Sequence, residues 1–282
     1  MGADPIVSMN AQDGNKTGES ILRSCQLVQL RILHVLDSIC KENNIQYCLA
    51  YGSLLGAIRH GGFIPWDDDL DVWMQEDDYR HFIKIARAQL PDDIMLHTPD
   101  MTPRVAFRFS KLRDKNSFML ELGQGMSVND PSGIWIDIFP LEVCPRLPPK
   151  IITLLSQCVL SPWFRTKWIV NKITNPVNAL LYAPIALVCR LVSLLFGAVW
   201  IISKTALPGK YEIVLDALGG RRLFDKDKMT NLKRWKFEDG EFPVPSDYEP
   251  ILKLIYGDWR KIPPPEQRPR HAKIIDPIHA AQ

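Results

Sequence analysis

A cluster of carboxylates is the feature of this 282-residue sequence that most directly suggests chemistry. Four aspartates stand within five positions, at Asp67, Asp68, Asp69 and Asp71. If residues 69–74 form a strand, Asp69 and Asp71 point to the same side, because alternate strand residues share a face. Their negative charges repel each other, and a hard divalent cation, Mg²⁺ or Mn²⁺, relieves this repulsion through oxygen ligands. The spacing therefore predicts a metal site, with a solvated acidic loop as the alternative.

Gly52 and Ser53 stand where a phosphate group could bind. They follow a short apolar segment, residues 45–50, and precede a predicted helical turn. Free backbone N–H groups and the positive end of the helix dipole favour an anion at such a position, and glycine allows a close approach to the backbone. Arg59 and His60 lie between this segment and the aspartates. Arg59 could therefore clamp a phosphate, or it could form only a surface ion pair.

A third carboxylate, Asp137, stands within the apolar segment 134–139, which is predicted as a strand. A lone carboxylate is costly to bury there unless it is paired or bound to a metal. In a phosphoryl-transfer site Asp137 could share a metal or accept the proton of the nucleophile. On an edge strand it would instead contact solvent. Lys111 and Arg113, near the end of another predicted strand, could add positive charge close to phosphates.

The segments around these residues alternate between strand and helix patterns. Apolar residues recur every three or four positions between Ile21 and Ile39 and again within residues 76–90, which predicts two amphipathic helices. Strands are predicted at residues 45–50, 69–74, 94–97, 105–112 and 134–139. This alternation is typical of an α/β or α+β protein built on a sheet.

The composition indicates a folded protein without general affinity for nucleic acid. Hydrophobic residues make up 46% of the chain and charged residues 23%, as in globular proteins. The formal net charge is only +2, whereas a general nucleic-acid binder carries a larger basic excess. The six cysteines include no C-x-x-C pair, so reduced thiols are expected. Residues 1–20 lack the apolar core of a secretory signal and are expected to form a flexible tail.

Residues 143–211 form a basic, apolar insert. The segment holds eight Lys or Arg residues and no acidic one, and within residues 177–203 Arg190 is the only charge. This apolar run of 27 residues is long enough to span a bilayer. Arg190 and Pro184 nevertheless favour helices that lie at the membrane interface. We therefore expect residues 150–210 to dock on the cytoplasmic face of a membrane, with a spanning helix and a buried helical hairpin as the alternatives.

The sequence resembles the LicD family, which includes the fukutin-like proteins. Residues 52–71 match the family pattern G-(T/S)-L-L-G-A-x-R-H-x-G-F-I-P-W-D-D-D-x-D almost letter for letter. The similarity extends from about residue 21 to about residue 272 and is least diagnostic over residues 143–210. Further matching segments are Lys111-Leu112-Arg113-Asp114, W-I-D-I-F-P-L at 135–141, F-P-V-P at 242–245, Y-G-D at 256–258, P-P at 263–264 and His271.

The resemblance implies a nucleotidyltransferase-like fold, an α+β protein in which helices flank a mixed β-sheet. With a tail at residues 1–20 and a helical apolar insert at 143–211, the catalytic core would occupy residues 21–142. Residues 212–282 would then form the C-terminal part of the LicD-type domain.

The resemblance also implies a metal-dependent phosphotransferase. Such an enzyme would move phosphocholine, ribitol phosphate or a similar group from a CDP-activated donor to a hydroxyl of a cell-surface glycan, such as lipopolysaccharide or teichoic acid. The phosphate-binding positions of the family fall on Gly52 and Ser53. Its acids fall on Asp67, Asp69, Asp71 and Asp137, which would hold Mg²⁺ or Mn²⁺. Arg59, His60, Lys111 and Arg113 complete the expected substrate site.

Two other functions remain open at this stage. A glycosyltransferase could use the D-x-D motif to hold a nucleotide-sugar, although that reading does not account for Gly-Ser before the acids. A non-enzymatic, membrane-associated assembly factor could use the same fold, but the intact carboxylates argue against it.

Overall fold

The computed structural model of this chain describes residues 15–101, 108–121, 131–170, 176–214, 222–268 and 272–277. The helices of this part are α1 (Asn15–Glu42), α2 (Tyr51–His60), α3 (Glu76–Gln89), α4 (Pro149–Val170), α5 (Pro176–Ala206), α6 (Lys226–Thr230) and α7 (Tyr248–Tyr256). A short 3₁₀ helix follows at Pro265–Gln267. The strands are β1 (Tyr47–Leu49), β2 (Asp71–Gln75), β3 (Ile94–His97), β4 (Ser110–Asp114), β5 (Phe118–Glu121), β6 (Trp135–Pro145), β7 (Pro208–Ile213), β8 (Phe224–Asp225), β9 (Leu232–Phe237), β10 (Gly240–Pro245) and β11 (Ala272–Asp276).

The central sheet is mixed, with the strand order β1-β2-β6-β4-β3. β2 and β6 run parallel, and the other neighbours in this order are antiparallel. β6 is long because its second half continues past β2 and pairs with β7, which in turn pairs with β8. Two separate two-stranded sheets, β9 with β10 and β5 with β11, lie outside this sheet. The structure thus confirms the predicted α+β class.

One face of the central sheet is largely apolar, although Ser110 of β4 also lies on it, opposite Ile138. Val72 lies opposite Ile138, and Leu112 lies opposite Ile136, so that the four side chains point to the same side. All four are fully buried, as is Leu36 of α1 in the same core cluster. The apolar spacing of α1 therefore has the role predicted for it, since it packs the helix into the core of the sheet.

Several element boundaries differ from those predicted. α1 begins at Asn15, within the segment expected to be a tail, while residues 1–14 lie outside the described residues. β2 begins at Asp71, so Asp69 precedes the strand. β4 begins at Ser110, and residues 105–107 of the predicted strand lie outside the described part. β4 reads Ser-Lys-Leu-Arg-Asp and is buried throughout, which an apolar pattern could not reveal.

The predicted insert forms a helical hairpin made of α4 and α5, called here the α4–α5 hairpin. Its two ends lie side by side, because Pro145 at the end of β6 is the register partner of Pro208 in β7. At its base, Lys204 of α5 contacts Glu76 at 2.6 Å and Glu142 at 3.3 Å. The hairpin is therefore fastened to the sheet at its base.

Candidate active site

Asp71 and Asp137 lie side by side on the polar face of the central sheet. They are register partners on the parallel strands β2 and β6, so their side chains point to the same side. The residues are 7% and 8% exposed, which leaves them accessible only from the site itself. The structure thus brings together two of the carboxylates that the sequence singled out, although they lie far apart along the chain.

Lys111 extends this row of charged residues by one strand. It is the register partner of Asp137 on β4, and its Nζ lies 2.7 Å from the Asp137 Oδ1. The lysine is fully buried, and its ammonium lies 4.4 Å from the centre of the Trp135 ring. A buried carboxylate needs such a partner, since an isolated charge is costly to desolvate. Lys111 therefore orients Asp137 and supplies a positive charge beside it.

The row ends at His97 on β3, the register partner of Lys111. Arg113 donates from Nε to the His97 Nδ1 at 2.9 Å and from Nη1 to the Gly133 carbonyl at 3.0 Å. Burial, followed by the charges of Arg113 and Lys111, lowers the pKa of His97 to about 3. His97 is therefore neutral at physiological pH. Arg113 is buried and acts on the site through its positive charge from inside the sheet.

The remaining aspartates form a loop directly before β2. Ligand oxygens of Asp67, Asp68 and Asp69 all lie within 4.8 Å of one another. Two glutamine side chains of α1 hold this loop, since Gln26 donates to the Asp67 carbonyl at 2.9 Å and Gln29 to the Asp68 carbonyl at 2.8 Å. Asp68 was not among the predicted ligands, although the carboxylate count of the loop could have suggested it.

Gly52 and Ser53 lie in the first turn of α2, close to the carboxylates. The Ser53 Oγ accepts a hydrogen bond of 2.8 Å from the backbone N–H of Asp71. A Cβ atom on Gly52 would lie 2.5 Å from the Asp67 Oδ2. Glycine is therefore required here because the carboxylate of Asp67 occupies the space that a side chain would fill. The first turn of α2 positions two of the acids and leaves its N-terminal end beside them.

Arg59 and His60 lie at the other end of α2. Arg59 donates from Nη1 to the carbonyl oxygens of Trp259 at 2.7 Å and Lys261 at 3.2 Å, and burial lowers its pKa. The His60 ring packs edge-on against Trp66, with ring centres 6.1 Å apart. Arg59 thus joins α2 to the chain that follows α7.

Tyr256, the last residue of α7, is a site residue that the sequence reasoning did not assign. Although the residue as a whole is 40% exposed, partial burial and then the negative charges of Asp67, Asp71 and Asp69 raise the pKa of its hydroxyl. The hydroxyl therefore stays protonated at neutral pH and lies within electrostatic reach of three carboxylates. Its only signal in the sequence was its place in the Y-G-D match at residues 256–258.

The side chains of this site fit a hard divalent cation. The converging donors are carboxylate oxygens, which Mg²⁺ and Mn²⁺ prefer, and the described residues of the cluster supply no sulfur ligand. The space over Gly52 lets Asp67 approach the helix, so the loop and α2 together form an oxygen-lined cradle. The acids lie on one side of the site and the buried Lys111 and Arg113 on the other. Together they provide the negative and the positive charges that transfer of a phosphoryl group requires.

The segment of the chain that holds this site matches a known protein family. The family model described as "LicD/FKTN/FKRP, nucleotidyltransferase domain" matches residues 44–143, which hold all the carboxylates named above. The lipopolysaccharide cholinephosphotransferase LicD of Haemophilus influenzae is 29% identical over 270 residues, which cover 89% of this chain and 96% of that protein.

Two shorter similarities point to the same region. The ribitol 5-phosphate transferase of Mus musculus is 32% identical over 77 residues, which cover 27% of this chain and 15% of that protein. An uncharacterised protein of Rickettsia typhi is 52% identical over 44 residues, which cover 16% of this chain and 14% of that protein. The matched nucleotidyltransferase domain at residues 44–143 and the similarity along nearly the whole chain identify LicD-type proteins as relatives of this chain.

Proposed function

We propose that this protein is a metal-dependent phosphotransferase that moves a phospho-alcohol group from a CDP-activated donor to a hydroxyl of a glycan. The observation that carries the proposal is the pairing of Asp71 with Asp137 beside the Asp67–Asp69 loop. This arrangement occurs in a chain that aligns over 96% of the length of a lipopolysaccharide cholinephosphotransferase. Phosphocholine is therefore the first donor group to test, with ribitol phosphate and glycerol phosphate next.

The metal would be held by Asp67, Asp69, Asp71 and Asp137. When bound, a divalent cation offsets negative charge on the diphosphate and on its leaving oxygen. Asp68 lies close enough to these acids to adjust the charge of the cluster.

The donor phosphates would bind at the N-terminal turn of α2. The space over Gly52 is taken by the Asp67 carboxylate, so the turn would act on the phosphates through its helix N-terminus, while Ser53 fixes β2 by accepting a hydrogen bond from the Asp71 N–H. Lys111 and Arg113 add positive charge from the same face of the sheet as Asp137, while Arg59 and His60 lie at the far end of α2, where Arg59 binds the carbonyl oxygens of Trp259 and Lys261.

In the transfer step, the acceptor oxygen forms a bond to the phosphorus that carries the alcohol. The bond between that phosphorus and the bridging oxygen breaks, and CMP leaves with the electron pair. Asp137, oriented by its contact with Lys111, would either orient the metal or receive the proton of the acceptor hydroxyl. Most of the rate enhancement would come from positioning and electrostatics.

The first experiment measures CMP release from a panel of CDP-alcohols in the presence of Mg²⁺ or Mn²⁺ and an acceptor glycan. CMP should appear only with donor, metal and acceptor together, and the phospho-alcohol should be found on the glycan. Asp69→Asn and Asp71→Asn should each reduce turnover by at least about a thousandfold. The matched control is Asp77→Asn, an exposed residue of α3, which should leave turnover unchanged.

A parallel panel of nucleotide-sugars separates this function from a glycosyltransferase. Sugar transfer without CMP release from CDP-alcohols would contradict the proposal. If Asp71→Asn kept activity within tenfold of the wild type, the metal assignment would be wrong. Absence of both metal and CDP-donor binding would favour the assembly-factor alternative.

We also propose that the enzyme works in the cytoplasm, at the inner face of a membrane that carries its acceptor. The support is the basic α4–α5 hairpin, which holds one helix, Leu180–Ala206, long and apolar enough to cross a membrane. The donor is water-soluble, whereas a lipid-linked glycan would be confined to the membrane surface.

A further inference from the structure

The outer surface of α5 is apolar and uncovered. Pro184 and Ala198 on this surface are exposed together with ten larger apolar side chains. The larger side chains are Leu180, Leu181, Ile185, Leu187, Val188, Leu191, Leu194, Leu195, Ile201 and Ile202, with exposed fractions from 48% to 84%. Patches of this extent on a single helix mark a contact with another protein or a membrane. The exposure contradicts the alternative of a buried helical hairpin, since only the opposite side of α5 packs against α4.

The topology of the sheet excludes a single membrane crossing. The chain leaves the sheet at Pro145 and returns at Pro208, its register partner. A lone spanning helix would place β7 and everything after it on the other side of the membrane from β6. Because β6 and β7 are paired strands, both ends of the hairpin must stay on one side.

α4 is too short in its apolar part to act as a second crossing. That part is Pro149–Leu160, which at 1.5 Å per residue covers about 18 Å. The hydrocarbon core of a bilayer is about 30 Å thick. Beyond this apolar part, α4 contains Pro162 and the exposed Arg165. The α4–α5 hairpin can therefore enter one leaflet but cannot cross both.

The charges around the apolar surface suit an anionic lipid headgroup layer. Residues 143–211 contain no acidic side chain, so nothing in the hairpin repels such a layer. Among the basic residues of this segment whose burial the structure describes, the exposed ones are Arg146, Lys150, Arg165, Arg190 and Lys210. At 3.6 residues per turn, Arg190 lies about 120° from the centre of the apolar face, at its border. From there its long side chain can reach the headgroups while α5 lies along the interface.

We propose that the α4–α5 hairpin is a monotopic anchor that lies in one leaflet of an anionic membrane, with the apolar face of α5 among the acyl chains. This inference rests on the membrane location proposed above, but not on the proposed chemistry. The occupant of the apolar face is the lipid surface, since a protein partner would not require the uniform positive charge around it.

The test is flotation of the full chain with phosphatidylcholine vesicles, with and without phosphatidylglycerol. Wild-type protein should float with anionic vesicles and only weakly with neutral ones. The variant Leu187→Glu/Leu191→Glu/Leu194→Glu should bind at least about tenfold more weakly. The matched control is Leu27→Glu, because Leu27 of α1 is 49% exposed and lies outside the hairpin. This control should float like the wild type.

A second pair of variants isolates the electrostatic part. Lys150→Glu/Arg165→Glu should lower binding to anionic vesicles about tenfold and make it insensitive to salt. Lys84→Glu/Arg87→Glu makes the same charge change on the exposed surface of α3 and should have no effect. Equal losses in both double variants would show that net charge, and not the hairpin, determines binding.

The topology is tested with Ile173→Cys, between the two helices, and a membrane-impermeant maleimide trapped inside sealed vesicles. The monotopic arrangement predicts no labelling above the parent chain until detergent opens the vesicles. Labelling from inside would show that the hairpin crosses the bilayer and would overturn the proposal. The outcomes also separate this inference from the proposed chemistry. Hairpin variants should keep CMP release with a soluble acceptor. If the wild-type protein did not float with vesicles, the membrane location, and with it the anchor, would be refuted, but the proposed chemistry would not.

Discussion

At the scale of single residues, the charges of the site depend on each other across neighbouring strands. Asp137 accepts from Lys111 on one side and lies opposite Asp71 on the other. Lys111 makes the burial of Asp137 tolerable, because a buried ion without a counterion is costly, whereas the neighbouring carboxylates of Asp71 and Asp137 repel each other. The roles of Asp137 in folding and in catalysis are therefore linked, and a single variant that loses both stability and turnover would not separate them.

A double variant separates the two roles of Asp137. Asp137→Asn should abolish turnover and lower the free energy of unfolding by about 3 kcal/mol, since Lys111 loses its carboxylate partner. Lys111→Met/Asp137→Asn should recover most of that stability, because methionine fills the space against Trp135 without a charge. Turnover should stay lost. The measurements are urea denaturation and CMP release on the same preparations.

Two outcomes would contradict this assignment. If the double variant regained activity, the carboxylate of Asp137 would not take part in transfer. If Asp137→Asn changed only stability, Asp137 would be structural. Asp114→Asn on β4 is not a suitable control, because the Asp114 carboxylate pairs with Arg31. The exposed Asp77 of α3 is a suitable control position.

At the scale of elements, the first turn of α2 positions the acidic loop. Gly52→Ala would place a Cβ 2.5 Å from the Asp67 Oδ2, so the carboxylate must move away. We expect Mg²⁺ affinity and turnover to fall at least about tenfold, while stability changes little because alanine favours a helix. Gly197→Ala in α5 is the matched control, since a Cβ added there would meet no atom within 4 Å. Calorimetric Mg²⁺ titration of both variants checks the prediction, and equal Mg²⁺ affinity in the two would contradict it.

The pairing of β6, β7 and β8 hides a carboxyl group that should make stability depend on pH. Glu212 of β7 is fully buried, and burial raises its pKa from 4.5 to about 7, although Gln75 donates to it at 2.9 Å. The folded protein therefore holds this proton more tightly than the unfolded chain. Its stabilising contribution is complete below about pH 4.5 and is lost as the pH rises through about 7, by up to about 3 kcal/mol.

Glu212→Gln should remove this pH dependence. The amide mimics the protonated carboxyl, so the variant should be more stable than the wild type at pH above about 7 and similar to it near pH 4.5. Urea denaturation at several pH values provides the measurement. Glu241→Gln, an exposed residue of β10, serves as the control and should leave the profile unchanged. The assignment would be refuted if the stability of the wild type rose between these two pH values while that of Glu212→Gln fell.

At the scale of the whole molecule, the C-terminal part completes a site whose acids come from the first half of the chain. Arg59 binds the carbonyls of Trp259 and Lys261, which fixes the end of α7 over α2. Tyr256 thereby reaches the field of Asp67, Asp69 and Asp71. The protonated hydroxyl is placed as a hydrogen-bond donor for an anionic substrate.

Tyr256→Phe should therefore lower kcat/KM about tenfold, the loss expected for one hydrogen bond to a charged group. Stability should change little, because the ring remains. Tyr248→Phe makes the same change in the same helix, at a ring that packs against Trp235, and should keep full activity. If both variants lost activity equally, the effect would come from α7 as a whole and not from the hydroxyl.

The sequence by itself determined the acids, the Gly-Ser turn, the apolar face of α1 and the basic hairpin. These features are local, since repulsion between neighbouring carboxylates, helical periodicity and the absence of acidic residues can all be read along the chain. The family resemblance rested on the same local runs and was confirmed.

Only the tertiary structure decided which distant residues meet. Strand register placed Asp71, Asp137, Lys111 and His97 in one row, and no local pattern specifies register between β2, β6, β4 and β3. β4 was shifted in the prediction because its Lys, Arg and Asp are buried by pairing with other strands and not by their own polarity. The return of the chain at Pro208 beside Pro145 likewise decided the membrane topology, because pairing of β6 with β7 is a long-range contact that hydropathy does not contain.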